Sequence, residues 1–230
     1  MKFLQWFFIL SGGLLQLLVI GALVKGAYRA FPLLFTYVVA SFLATVVEVA
    51  AFLGVAGWSK FTVRYYWINE AILQFLIFLL VLSLIHRAME ASPQRVAVMR
   101  LLVLGALAFA IISLALNWNA SLNRLMTQMS RNMSFAAVLL NLVLWLMLIR
   151  PRLPDTRVIM ISGGLGLQMA GEAIAHSLRQ LSRHAEVLGN LTLLTSYLLC
   201  LVVWWQTLRR PARAAARTGA PRFDPTSANR

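Results

Sequence analysis

Residues 3–24 read FLQWFFILSGGLLQLLVIGALV, and residues 33–53 read LLFTYVVASFLATVVEVAAFL. Only KGAYRAFP, residues 25–32, lies between them. The two runs hold one charged side chain, Glu48. A bilayer crossing takes about 20 apolar residues at about 1.5 Å of rise each, so both runs are long enough. Backbone amides and carbonyls in hydrocarbon must pair within their own element, which makes such runs helices. The link is too short to fold alone, so the runs are neighbouring spans of opposite direction.

The pattern continues down the chain. Further spans are expected near 66–86, 98–117, 133–149, 158–178 and 187–207, with the fifth of the seven short. Of the 230 residues, 60% are hydrophobic and 12% charged, where a soluble domain carries roughly 25% charge. The expected fold is all-α: a polytopic integral membrane seven-helix bundle over 1–208, then a basic disordered tail over 209–230. Phe223 is the only large apolar side chain of that tail, too little burial to offset ordering entropy. The first run is longer than the roughly 7–15 apolar residues of a signal peptide and lacks a small-x-small cleavage site. It is read as a retained helix. The lone cysteine, Cys200, permits no intrachain disulfide.

Charge sets the orientation. One set of loops and the tail hold Lys25, Arg29, Arg87, Arg95, Arg100, Arg150, Arg152, Arg157, Arg209, Arg210, Arg213, Arg217, Arg222 and Arg230, fourteen cations. The opposite side holds Lys2, Lys60, Arg64, Arg124, Arg131, Arg179 and Arg183, seven. Cationic loops stay in the cytoplasm, which puts the N-terminus outside and the tail inside. Trp6, Trp58, Tyr65, Tyr66, Trp67 and Trp118 then fall at the outer boundary, and Trp204 and Trp205 at the inner one, where amphipathic rings favour headgroup depth. The cations sit beside span ends rather than along one face, so no nucleic-acid partner is expected. The bilayer is the expected partner, with the tail against anionic headgroups. A chain rich in arginine and poor in lysine points to a bacterial inner membrane.

The acids within the spans come next, because a charge at membrane depth costs about 2.5 kcal/mol or more. Ser41, Thr45 and Glu48 are four and three residues apart, on one helix face. Glu70 and Gln74 share a face of span three, with Trp67. Gln168, Glu172, His176 and Arg179 share one of span six. Counting helical rise, Glu48 lies about 22 Å and Glu172 about 21 Å from the inner boundary, and Glu70 about 6 Å from the outer one. Asn190 begins near the same level on span seven, with Tyr197 two turns on. A ligand site is therefore expected in the outer third, from Glu48, Glu70, Gln74, Gln168, Glu172, His176 and Asn190. Ser162, Gly166 and Ala170 form a stripe of small residues on another face of span six, so that helix is expected at the centre of the bundle.

No catalytic residue, metal or cofactor is assigned. Glu172-Ala-Ile-Ala-His176 is neither the Glu-x-x-His of di-iron bundles nor the His-Glu-x-x-His of zincins. His86 lies near one membrane face and His176 and His184 near the other, so paired haem ligation is not expected. The layout resembles that of seven-helix receptors and microbial rhodopsins in topology alone. The lysines are Lys2, Lys25 and Lys60, none in span seven, which excludes a retinal Schiff base of that kind.

The leading expectation is a ligand-binding or sensory module. A small ligand or proton would enter from the outer face, and a membrane or cytoplasmic partner protein would read the helix shift. A small transporter of three-plus-one-plus-three helices is the alternative, and needs a polar path through the inner half. A structural subunit of a membrane complex is a third reading, with the acids as packing pins. An enzyme is the least supported, since it needs a nucleophile or metal.

Overall fold

A computed structural model of the chain describes residues 2–52, 60–89, 95–116, 135–146, 156–179 and 183–209. All seven long elements are helical: α1 Lys2–Val24, α2 Pro32–Phe52, α3 Lys60–Ala88, α4 Arg95–Leu116, α5 Phe135–Leu146, α6 Thr156–Arg179 and α7 Arg183–Arg209. Five carry stretches long and apolar enough to cross a membrane: Trp6–Val24, Pro32–Ala51, Ile68–Ala88, Thr156–Ala175 and Ala185–Arg209. The protein is a multi-pass helical membrane bundle. The described apolar stretches of α4 and α5, Val96–Gly105 and Phe135–Leu146, are shorter. Five of the seven expected spans thus meet the length by themselves. The tail beyond Arg209 lies outside the described residues, as do Trp58 and Trp118.

The link between the first two spans is a compact turn. Gly26 has φ +129°, a region that side-chain-bearing residues rarely enter, and it reverses the chain out of α1. A 3-10 turn, Ala27–Arg29, follows, with Phe31 N–H donating to the Ala27 carbonyl at 3.0 Å. Pro32 then opens α2, where its missing N–H would have had no helical partner. Arg87, at the end of α3, donates to the Ala30 carbonyl at 2.8 Å, and its guanidinium sits 4.5 Å from the centre of the Phe31 ring. One cation thereby ties the α1–α2 turn to α3.

The long helices close a ring. Helix α1 packs on α2 and α7, α2 on α3, α3 on α6, and α6 on α7. Helix α4 leans on α3 from outside the ring. Helix α5 meets α6 where Asn141 and Trp145 lie over Gly166 and Gly163. Large apolar side chains such as Leu10, Leu101 and Leu139 face outward, as lipid contact requires.

Helix α6 meets α5 and α7 through its glycines. A Cβ on Gly164 would come within 2.8 Å of Trp204 Nε1, and one on Gly171 would overlap the Ser196 side chain of α7. Small residues let backbones approach, which replaces the hydrophobic drive that is absent between helices in lipid. The expected stripe is only partly the contact surface. Ser162 is buried and Gly166 meets α5, but Ala170 is exposed. Trp204 fixes the register, its indole N–H donating to the Ile161 carbonyl at 2.9 Å.

Packing is uneven along the bundle axis. At the end that carries Val24, Pro32, Ala88, Thr156 and Arg209, here the basic end, Leu23, Leu34, Leu84, Ile85, Ile161, Leu201 and Trp204 are buried almost completely. Beyond the level of Gln16, Ser41, Gln74 and Glu172, the buried apolar side chains among the described residues are alanines: Ala44, Ala51, Ala137 and Ala175.

Gly171→Ala is expected to lower stability by about 1–3 kcal/mol through overpacking. Adding Ser196→Gly removes the atoms it meets and should restore most of the loss. Thermal unfolding of the two variants in detergent checks the pairing; equal losses would place the strain elsewhere.

Candidate functional site

Inside the ring the polar side chains form two connected clusters. In the first, Gln16 of α1 points its amide nitrogen at Tyr197 Oη (2.6 Å), Ser41 Oγ (3.1 Å) and Thr45 Oγ1 (3.4 Å). Ser41 and Tyr197 hydroxyls are 2.8 Å apart and share a hydrogen bond, and Thr45 donates to the Ser41 carbonyl at 3.0 Å. An amide nitrogen has two hydrogens, so at most two of its three neighbours can be served at once. This cluster joins α1, α2 and α7.

The second cluster joins α2, α3 and α6 around a carboxylate. Gln168 Nε2 donates to Glu172 Oε1 at 3.1 Å and to Tyr37 Oη at 2.8 Å. Gln74 Nε2 donates to Glu172 Oε2 at 3.4 Å. Glu172 thus accepts an amide on each oxygen. Tyr37 is within electrostatic reach of both Glu172 and Tyr197, so the two clusters face each other. Below them Tyr37 meets Trp204 edge to face, ring centres 6.0 Å apart. That pair forms a floor, and the apolar core of the basic end lies beneath it.

Two buried acceptors in these clusters have no partner among the described residues: Gln16 Oε1 and Gln168 Oε1. For Gln168 the orientation follows from chemistry, since the end facing a carboxylate must be the donor. For Gln16, exchanging the two ends would only leave the NH₂ group orphaned instead. An unpartnered buried acceptor costs about 1–3 kcal/mol. A side-chain hydrogen bond between membrane helices contributes on average only about 0.6 kcal/mol. Two such oxygens therefore cancel much of what the surrounding bonds contribute, unless something brings them a donor.

The residues named from the sequence divide as follows. Gln74, Gln168 and Glu172 are brought together by hydrogen bonds. Glu48 and Glu70, on α2 and α3, are close enough for their charges to act on each other. Glu70 lies one turn from Gln74 toward the far end of α3. Glu48 has an exposed side chain, and so has Asn190 on α7. The His176 side chain lies outside the described residues. Asn190 is six or seven residues beyond Ser196 and Tyr197, so it sits two turns from the bonded cluster. Gln16 and Tyr37 were not expected in the site, although both are central to it. The signal for Gln16 was there: a carboxamide in an otherwise apolar run, with Ser11 and Gln5 the only other uncharged polar side chains in residues 3–24.

Compared with known protein families, curated proteins and solved structures, the chain matches none. The reading of the site rests on its own geometry.

Tyr197→Phe removes the hydroxyl shared by Gln16 and Ser41, and is expected to cost about 1 kcal/mol of unfolding free energy. Thr195→Val, one helical face away and exposed, should be neutral. Parallel thermal melts of both variants test whether the cluster has the strength assigned to it.

Proposed function

We propose that the protein is a membrane-embedded binding module that takes a small cationic or hydrogen-bond-donating ligand at Glu172. The observation that carries this reading is the buried Gln168 Oε1, which has no hydrogen-bond partner among the described residues and belongs to the same carboxamide whose nitrogen serves that carboxylate. Acceptors in low dielectric call for a donor, and a cation or a protonated amine supplies one with charge to match the acid. Glu48 and Glu70, toward the far end of α2 and α3, form an acidic approach to it.

The uneven core supports binding over passage. A transporter needs a polar route through both halves. Here Val19, Leu23, Leu34, Leu80, Leu84 and Leu201 fill the basic half, and the polar side chains buried with them, Ser162, Thr207 and the Trp204 indole, each donate to a backbone carbonyl, of Ile159, Val203 and Ile161. The alanine-lined far half is the open side for entry. In this reading all seven helices cross the membrane, α4 and α5 included. The N-terminus is outside, the basic end faces the cytoplasm of a bacterial inner membrane, and a partner protein reads the helix shift. The excess of cations at the basic end supports that orientation.

The test is ligand-dependent stability of the purified protein. Lithium, sodium, potassium, methylammonium and guanidinium chlorides are titrated at constant ionic strength, balanced with N-methylglucamine chloride, at pH 5, 6, 7 and 8. At least one probe, or protonation itself, is expected to raise the melting temperature saturably. A ligand at about 100 times its Kd adds about 2.7 kcal/mol. Glu172→Gln and Gln168→Leu should abolish the shift while remaining folded. A wild-type response no larger than that of Glu172→Gln under every probe and pH would end the proposal and favour a purely structural network.

A further inference from the structure

The carboxamides around Glu172 restrict what can bind beside it. Gln168 Nε2 lies 3.1 Å from Glu172 Oε1, and Gln74 Nε2 lies 3.4 Å from Glu172 Oε2. Each carboxylate oxygen therefore has the hydrogen end of an amide against it. Tyr37 Oη takes a further hydrogen from Gln168 at 2.8 Å. So the oxygens that face this carboxyl group are interleaved with N–H donors.

A metal ion binds through oxygen and is repelled by N–H groups, whose hydrogens carry its own sign. Hard cations take about six oxygens or more. The cluster brings four: two from Glu172, Tyr37 Oη and Gln168 Oε1. Turning Gln168 end for end would offer its oxygen to an ion, but would break its bonds to both Glu172 and Tyr37. Among the described residues, no group of three or more His, Cys, Asp or Glu side chains could hold a metal.

An ammonium group needs none of that rearrangement. It donates up to three hydrogens and accepts none. Gln168 Oε1 is the acceptor open to it, on a side chain only 4% exposed. The oxygen and nitrogen of a carboxamide are about 2.2 Å apart. Gln168 Oε1 is therefore at most about 5.3 Å from Glu172 Oε1. Two charge-assisted N–H···O bonds of about 2.8 Å reach across about 5.6 Å. One nitrogen can thus donate to Gln168 Oε1 and to Glu172 together, with its charge against the acid. The planar fork of a guanidinium pairs with both oxygens of a carboxylate at once, and here an amide already stands on each. A quaternary ammonium has the charge but no hydrogen for Gln168 Oε1. Toward the far end, the short side chains of Ala44 and Ala175 suit the carbon end of a small amine, which asks for no hydrogen bonds.

We propose, on the reading of Glu172 as a binding site, that its ligand is the primary ammonium group of a small organic amine rather than a metal ion. Gln168 sets that choice through both ends of its carboxamide. The nitrogen turns metals away, and the oxygen receives the ammonium.

The experiment compares thermal stabilisation of the full chain in detergent at pH 7 by methylammonium, tetramethylammonium, guanidinium and sodium chlorides. Ionic strength is held constant with N-methylglucamine chloride, and Glu172→Gln is the control. Methylammonium is expected to raise the melting temperature saturably, at a concentration at least tenfold below that of any other probe, as one charge-assisted hydrogen bond contributes. Gln168→Glu removes the N–H donors and adds two oxygens. It should narrow the preference for methylammonium over sodium about tenfold, and its own melting transition shows whether it is folded. Sodium, guanidinium or tetramethylammonium acting at the same or lower concentration than methylammonium would overturn the ammonium assignment and leave a binding site at Glu172. Stabilisation by acid alone, with no response to any salt, would do the same in favour of a proton. A preference unchanged in folded Gln168→Glu would overturn the role of the carboxamide. No response to salt or acid beyond that of Glu172→Gln would remove the binding reading itself, and this inference with it.

Discussion

Helices α6 and α7 touch as closely as they do because Gly164 and Gly171 have no side chains. In lipid, two apolar helices gain little by hiding from solvent, since the solvent is as apolar as they are. Close van der Waals contact and interhelical hydrogen bonds have to supply the attraction, and both need short distances. The glycines provide the distance, and Trp204 uses it to reach the Ile161 carbonyl. Once α6 is held against α7, the Gln168–Glu172 face of α6 is turned toward α2 and α3, and Tyr197 of α7 toward α1. The polar clusters are a consequence of that one contact, and so is the floor made by Tyr37 and Trp204.

Much of this was legible in the residues. Apolar runs of span length, set against short links, are enough to establish helices in a membrane, because no other backbone arrangement satisfies its own hydrogen bonds there. The acids pointed to Glu172 because charge at depth is costly, and the helical period drew Gln168 in with it. What periodicity did not provide was rotation of one helix relative to another. Glu48 shares a face with Ser41 and Thr45 on paper, yet Ser41 and Thr45 turn to Gln16 while the Glu48 side chain is exposed. Tyr37 was invisible for a different reason. A tyrosine in an apolar run counts as hydrophobic surface, and only the position of Gln168 across the ring reveals that its hydroxyl is used. The packing of Gly171 on Ser196 was equally beyond reach, because the stripe that sequence spacing selects, through Ala170, is a different face.

Charge and packing divide the bundle into two halves of opposite kind. The far half buries small side chains around acids and amides, and the basic half buries large ones beneath a cationic rim. Both follow from the same dielectric argument. A carboxylate at depth is tolerable where amides can serve it, as Gln168 and Gln74 serve Glu172, and close packing by large apolar groups would exclude those amides. At the basic end the cations stand at the ends of the spans, Arg87 on the Ala30 carbonyl and the Phe31 ring and Arg209 on the Trp205 ring, so the interior there closes with leucine, isoleucine and tryptophan.

The two halves are nevertheless joined by the helices they share. Gln16, in the polar cluster, and Leu17, which lines a cavity at the basic end with Trp205 and Leu208, are adjacent on α1. Tyr197 and Trp205 occupy the same helix α7, about two turns apart. A rotation of α1 sufficient to give Gln16 Oε1 a new partner must also swing Leu17 and Gly21 about the same axis, because a helix turns as a rigid rod over so short a length. If Glu172 binds a ligand as proposed, anything at the basic end that resists this rotation would change the free energy of that binding, and the dependence would be reciprocal in equilibrium affinity. Helices α1, α6 and α7 each carry residues of both ends, so a rotation that repacks one end is felt at the other.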